Sequence, residues 1–145
     1  MYRNNVIEFS SLLHYAATYL PKDKYEHSLR VMLYVMCNNH IPEYLHDDCI
    51  VVAIAHDLLE DGNLSTLNLP KMSDNTFEAL QMITKTNDES YVDYIKEIKA
   101  SSLSIPGQIA YWVKIADMKD HLMQKDTLTE KLKEKYLEAL PYLLP

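Results

Sequence analysis

Glycine occurs at only two positions of this 145-residue chain, Gly62 and Gly107, and this scarcity strongly constrains the fold. Tight β-turns and phosphate-binding loops both depend on glycine, because it adopts left-handed backbone conformations without a steric penalty. Leucine, alanine, methionine, glutamate and lysine, which favour helices, are abundant. The sequence therefore predicts an all-α protein.

Apolar residues recur along the chain at the three- and four-residue spacing of helices packed on one side. Hydrophobic residues make up 48% of the chain, which suits one compact domain over residues 1–145 with a single core. Seven helices are predicted, and we place them at 4–20, about 26–37, 42–61, 74–84, 89–101, 106–124 and 127–144. The bundle has short connections, apart from a loop over residues 62–72.

Two local details of this prediction leave room for alternatives. The stretch "IVVAIA" at 50–55 is rich in β-branched residues and would suit a strand in isolation, but helical patterns flank it on both sides. The last helix can begin after Thr127 or after Thr129, since either side chain can cap it. Its predicted apolar face consists of Leu132, Tyr136, Leu137 and Leu140.

The overall charge narrows the range of partners. The net charge is −7 and the lysines and arginines are scattered, so binding to nucleic acid is not expected. The negative net charge is still compatible with a small anionic substrate if a metal or local lysines supply positive charge. Cys37 and Cys49 lie in apolar runs and are predicted to be buried free thiols of a reducing compartment. Without an apolar stretch of about 20 residues, we expect a cytoplasmic protein that does not span a membrane; the oligomeric state stays open.

Several metal-binding side chains lie inside otherwise apolar helices. His56 and Asp57 are adjacent in "AIAHDLLEDG", His27 lies in "YEHSLRV", and Asp117 lies in "VKIADMKDHL". Burying such groups is costly unless a cation compensates their charge. The four residues together make a set of two imidazoles and two carboxylates, which suits one divalent ion: Mn²⁺, Fe²⁺, Zn²⁺ or Mg²⁺.

Glu60 and Asp61 follow His56 and Asp57 by one helical turn. At a spacing of four residues they stack above that pair on the same helix face. From there they can flank a water molecule on the metal and orient or deprotonate it. We predict that these two acids are the catalytic residues.

The ordered pattern of His, His-Asp and Asp resembles the HD phosphohydrolase superfamily. "HDLLED" is similar to the "HD-x-x-ED" of the guanosine tetraphosphate (ppGpp) hydrolases and their small stand-alone relatives. "MITKTNDESYVDYI", "VKIADMKDHL" and "TEKLKEKYLEAL" resemble further segments of those enzymes in the same order, so the similarity covers most of the chain from His27. It implies an HD-domain fold, one metal ion with Mn²⁺ favoured, and a nucleotide substrate.

The resemblance also implies roles for single residues. Lys85 would approach a substrate phosphate and Tyr136 would face the nucleoside, although a lysine at a helix end and a packed tyrosine are also ordinary structural features. Two departures concern substrate contacts. His121 stands where the family has asparagine, and could donate to a phosphate, protonate the leaving group or be a replacement that has lost the binding function. The segment "LPKDKYEH" is a shortened form of the approach to the first histidine.

The sequence thus predicts a metal-dependent phosphohydrolase that acts on a nucleotide, with a guanosine 3′-pyrophosphate such as ppGpp as the leading substrate. Another phosphorylated nucleotide or cofactor is the nearest alternative. A non-catalytic nucleotide-binding protein of the same fold and a purely structural helical adaptor are the alternatives from other classes. No histidine lies between His56 and Asp117, which favours a site for one metal rather than two.

Overall fold

The computed structural model of the protein describes residues 2–61, 72–86 and 88–144, and within the first range the side chains of 10–59. All regular structure in these residues is helical, which confirms the predicted fold class. The helices are α1 (Tyr2–Tyr19), α2 (Lys22–Met36), α3 (Glu43–Asp61), α4 (Asp74–Ile83), α5 (Tyr91–Ala100), α6 (Ile105–Met123) and α7 (Glu130–Leu143).

The ends of the helices follow local capping chemistry. Ser73 caps α4 as predicted, because its side chain accepts a hydrogen bond from the backbone N–H of Thr76. Thr129 rather than Thr127 caps α7, through the N–H of Leu132. The predicted start of α2 near residue 26 is wrong by four residues, since Pro21 ends the first helix and also occupies the N-cap position of the second. Gly62, the predicted terminator of α3, lies outside the described residues.

Two helices form the centre of the bundle. α3 packs against α1, α2, α4 and α6, and α6 packs against α2, α3, α4, α5 and α7. The "IVVAIA" stretch is helical, and residues 51–55 of α3 are buried, so tertiary burial explains its apolar character without a strand. Because α2 contacts both central helices, polar side chains on facing sides of α2, α3 and α6 are brought together inside the protein.

The C-terminal helix packs on a face slightly different from the predicted one. Tyr136 is buried, and Leu132 and Leu140 pack against the core, in agreement with the sequence pattern. Leu137 is 48% exposed, so its predicted place in the core is wrong. Ala139 and Leu143 are buried in its stead. One turn of helix advances 3.6 residues, so Leu137 falls beside the packed stripe through 132, 136, 139, 140 and 143.

In the described part of the chain, every helix is either too short or too polar to cross a membrane.

The two cysteines occupy different environments. Cys49 is fully buried in α3, as predicted, whereas Cys37 is exposed at the C-cap of α2, so its predicted burial is wrong. Burial, with a smaller contribution from the nearby Asp48 carboxylate, raises the pKa of the Cys49 thiol to about 12. An apolar run ends at Cys37, but its position just after the helix turns the side chain to the surface.

We expect iodoacetamide at pH 8 to label native protein rapidly at Cys37 alone. At that pH a thiol with a pKa near 12 is about one part in ten thousand thiolate, the reactive form, and the Cys49 side chain is also shielded. Mass spectrometry of the intact protein measures the labelling. The Cys37→Ser variant should remain unlabelled until it is unfolded in guanidinium; labelling of that variant in its native state would contradict the assignment.

Candidate metal centre

The four side chains that were predicted as metal ligands meet at one place. His27 comes from α2, His56 and Asp57 come from α3, and Asp117 comes from α6. They are separated by up to 90 residues in sequence, yet each is at most 6% exposed. The bundle therefore brings together a buried cluster of two imidazoles and two carboxylates.

Nitrogen and oxygen atoms of these four residues lie close to one another. The Oδ1 atom of Asp117 lies 2.8 Å from Nε2 of His27 and 3.2 Å from Nε2 of His56. The Asp57 carboxylate lies 3.3 Å from Nε2 of His56 and 3.6 Å from Nε2 of His27. The ligand-capable atoms of His27, His56 and Asp57 all lie within 4.8 Å of one another. Such convergence is the basic geometric requirement for chelating one ion.

The other ring nitrogen of each histidine is held by a hydrogen bond. Nδ1 of His56 donates to the carbonyl oxygen of Ala53 at 2.8 Å, which orients its Nε2 towards the cluster. Nδ1 of His27 lies 2.6 Å from Oδ2 of Asp120, a fully buried carboxylate that also accepts two hydrogen bonds from Arg30. Metal-binding histidines in proteins are oriented by carbonyl and carboxylate partners of this kind.

Asp120 and Arg30 were missed by the sequence analysis. A signal existed for Asp120, because it follows Asp117 by three residues and therefore lies on the same side of α6. Asp120 lies near Arg30 and His27 because α2 packs on α6. His27 is 93 residues away from Asp120 in the sequence. Ser28 is a further outer contact, since its hydroxyl donates to Oδ2 of Asp57 at 3.3 Å.

A buried lysine compensates the charge of Asp117. Nζ of Lys114 lies 2.8 Å from Oδ2 of Asp117, one turn earlier on α6. Burial alone would raise the pKa of Asp117, but Lys114 and the surrounding imidazoles hold that pKa well below its usual range. Burial would likewise lower the pKa of Lys114, and the Asp117 charge holds it well above its usual range. Both groups therefore stay charged at neutral pH.

The balance of charges in the cluster suits a divalent cation. Three buried carboxylates, Asp57, Asp117 and Asp120, face two permanent cations, Lys114 and Arg30. Burial lowers the pKa of His56, but the Asp57 and Asp117 carboxylates outweigh this effect and raise it to about 9. Protons on the imidazoles thus balance an excess of negative charge that a bound cation would balance equally well.

A cavity of about 200 Å³ opens onto this cluster. Besides the four predicted ligands, its walls carry four lysines and three tyrosines: Lys24, Lys85, Lys114, Lys135, Tyr91, Tyr94 and Tyr136. Such a concentration of lysine is notable in a protein whose net charge is −7. The cavity thus offers positive charge for an anionic group and aromatic rings for a planar one.

The three predicted substrate contacts all line this cavity. Lys85 follows α4, and its Nζ also donates to the carbonyl oxygen of Thr86 at 3.0 Å. Tyr136 is 6% exposed and stacks on His121, with ring centroids 5.0 Å apart and ring planes inclined by 7°. The tyrosine is therefore both part of the core and part of the cavity wall.

The side chains of the two predicted catalytic acids, Glu60 and Asp61, lie outside the described residues. The backbone of both residues belongs to the last turn of α3, one turn after His56 and Asp57. Their role stays a prediction.

Comparison with known proteins adds no assignment. No protein-family model matches the chain, and a search among curated proteins finds no match either. Its function therefore has to be inferred from its own residues and their geometry.

Proposed function

We propose that the protein is a metal-dependent phosphohydrolase of the HD superfamily that acts on a nucleotide in the cytoplasm, with a guanosine 3′-pyrophosphate such as ppGpp as the leading substrate. The convergence of His27, His56, Asp57 and Asp117 from three helices carries this proposal. The order and spacing of these residues resemble the superfamily's ligand pattern.

The donor chemistry supports one divalent cation at this cluster. Two imidazoles and two carboxylates suit Mn²⁺, Fe²⁺, Zn²⁺ or Mg²⁺, and the resemblance favours Mn²⁺. When bound, such an ion supplies Lewis acidity towards water and towards a phosphate oxygen. The Ala53 carbonyl and the Asp120 carboxylate hold the two imidazoles with Nε2 facing inward, so little reorganisation is needed for binding.

The cavity supplies the remaining functions of a phosphohydrolase. Lys24, Lys85 and Lys135 provide positive charge at its wall, where it would neutralise the charge of a transferring phosphoryl or pyrophosphoryl group. Tyr91 and Tyr136 offer ring surfaces to a base or ribose. Glu60 and Asp61 would orient and deprotonate the attacking water from the adjacent turn of α3. The choice of a guanosine pyrophosphate depends on the resemblance alone.

Turnover of a nucleotide panel tests the proposal. Metal-free protein is supplied with Mn²⁺ and with ppGpp, GTP, ATP and nucleotides phosphorylated at the 2′ or 3′ position. We expect the fastest reaction with ppGpp, which releases pyrophosphate and GDP, because a 3′-pyrophosphate matches the family's substrate. Pyrophosphate and phosphate are quantified separately, so the cleaved bond is identified.

The Asp57→Asn variant is the matched control, because it removes one ligand charge and leaves the Lys114–Asp117 pair in place. Its rate should fall by at least about a hundredfold, since even outer partners of metal ligands are worth 10- to 100-fold. Tight nucleotide binding by wild type without any turnover would instead support the non-catalytic alternative. Absence of any metal and any nucleotide binding would support the structural adaptor.

A further inference from the structure

A third imidazole lies beside the cluster that the HD pattern predicts. His121 is on α6, four residues after Asp117, and its Nε2 lies 3.5 Å from Oδ1 of Asp117. That same oxygen is approached by Nε2 of His27 and Nε2 of His56. Three histidine nitrogens therefore surround a single carboxylate oxygen.

The His121 ring is held in this position by stacking on both sides. Its centroid lies 4.3 Å from that of His27 and 5.0 Å from that of Tyr136. The ligand-capable atoms of His27, Asp117 and His121 all lie within 4.8 Å of one another, as do those of His27, His56 and Asp57. The two groups have His27 in common, so the five donor residues adjoin one another around that ring.

We propose that His121 is a fifth protein ligand of the metal ion, so that the ion is bound by three histidines and two aspartates. This inference rests on the proposed metal site. Nε2 of His121 lies on the side of the candidate ligands, 3.5 Å from Oδ1 of Asp117, while the ring also lines the cavity. The side chain is 32% exposed, so it forms the border between the buried ligands and the cavity.

A third imidazole changes the metal preference of the site. Imidazole nitrogen favours Co²⁺, Ni²⁺ and Zn²⁺ over Mn²⁺ and Mg²⁺ more strongly than carboxylate oxygen does. His121 should therefore make the site more selective for the later ions, while it leaves fewer positions for water and substrate. It should also make Mg²⁺ a poor occupant, because that ion prefers an oxygen environment.

Metal titration, rather than activity, tests the inference. Metal-free wild type and the His121→Ala and His121→Asn variants are titrated with Co²⁺ and with Mn²⁺ against a competing chelator, and the visible absorption of bound Co²⁺ is recorded. The exposed His40, in the connection between α2 and α3, supplies the control variant His40→Ala. Circular dichroism checks that each protein is folded, and the asparagine variant retains a polar side chain should the alanine variant be unstable.

We expect both His121 variants to bind Co²⁺ at least about tenfold more weakly than wild type, with a smaller loss for Mn²⁺ and an altered Co²⁺ spectrum. The His40 variant should match wild type. Unchanged Co²⁺ affinity and spectrum in both His121 variants would overturn the fifth ligand and leave the proposed function intact. Equal losses for the two ions with an unchanged spectrum would also overturn it, because they indicate a structural role. Failure of wild type to bind either ion would overturn both proposals.

Discussion

The Asp117→Asn variant is expected to lose metal binding and to unfold about 6–12 °C below wild type. Asp117 is the acceptor shared by three imidazoles and the partner of the buried Lys114. Removing its charge leaves a buried ammonium group without a counterion, which costs about 3 kcal/mol or more in the free energy of unfolding. For a chain of this size, each kcal/mol lowers Tm by roughly 2–4 °C.

The Asp57→Asn variant separates the two effects, because the contacts of Asp57 within the described part of the chain include no lysine. The Asp57 carboxylate contacts His27, His56 and the hydroxyl of Ser28. We expect this variant to lose metal affinity by a similar factor with a much smaller change in the Tm of metal-free protein. Thermal unfolding of the metal-free proteins, together with metal titration, measures both quantities. Equal Tm values for the two variants would contradict the assigned role of Lys114.

The stability difference between wild type and Asp117→Asn should depend on pH. Burial lowers the pKa of Lys114 once the Asp117 charge that raises it is gone. The unfolded variant then binds more protons than the folded variant, so its stability rises with pH. In metal-free wild type, the pKa of His56 in the folded protein is raised to about 9. Protonation of His56 therefore stabilises folded wild type fully at low pH, and this stabilisation is lost as pH rises through 9. The difference in Tm between wild type and Asp117→Asn should therefore become smaller between pH 7 and pH 10. A larger difference at pH 10 would contradict this account.

The Gly107→Ala variant is expected to lose about 2 kcal/mol or more of unfolding free energy, the usual scale of overpacking. A Cβ atom on Gly107 would lie 1.6 Å from the backbone oxygen of Ser101 and 2.3 Å from its carbonyl carbon. Neither atom belongs to a flexible side chain that could move aside. The first turn of α6 and the end of α5 would have to separate.

Helix propensity alone predicts the opposite sign for this substitution. Alanine is favoured over glycine in a helix by about 1 kcal/mol, so a rise in Tm would show that the close approach to Ser101 carries no cost. Thermal and denaturant unfolding of Gly107→Ala measure the effect. Gln108→Ala is the matched control, because it changes the adjacent, half-buried residue of the same helical turn without a contact of this kind.

Local chemistry made most of the fold predictable. The all-α class and the Ser73 cap follow from interactions within a few residues of one another, and the structure agrees with both predictions. The helical patterns that flank residues 50–55 also predicted correctly a helix in that stretch, despite its β-branched residues. The incorrect details are those that neighbouring elements decide. Leu137 and Cys37 are apolar by type, but their burial depends on whether another helix happens to cover that side.

The candidate site divides in the same way. The sequence by itself determined which residues could bind a metal, because a histidine or carboxylate inside an apolar helix requires a partner to compensate its burial. Only the tertiary structure decided which partners those are: Asp120 and Arg30 behind His27, Lys114 beside Asp117, and His121 at the border of the cavity. The physical reason is that the packing of α2, α3 and α6 sets these distances, whereas the periodicity of one helix does not say which side chains of another helix it will face.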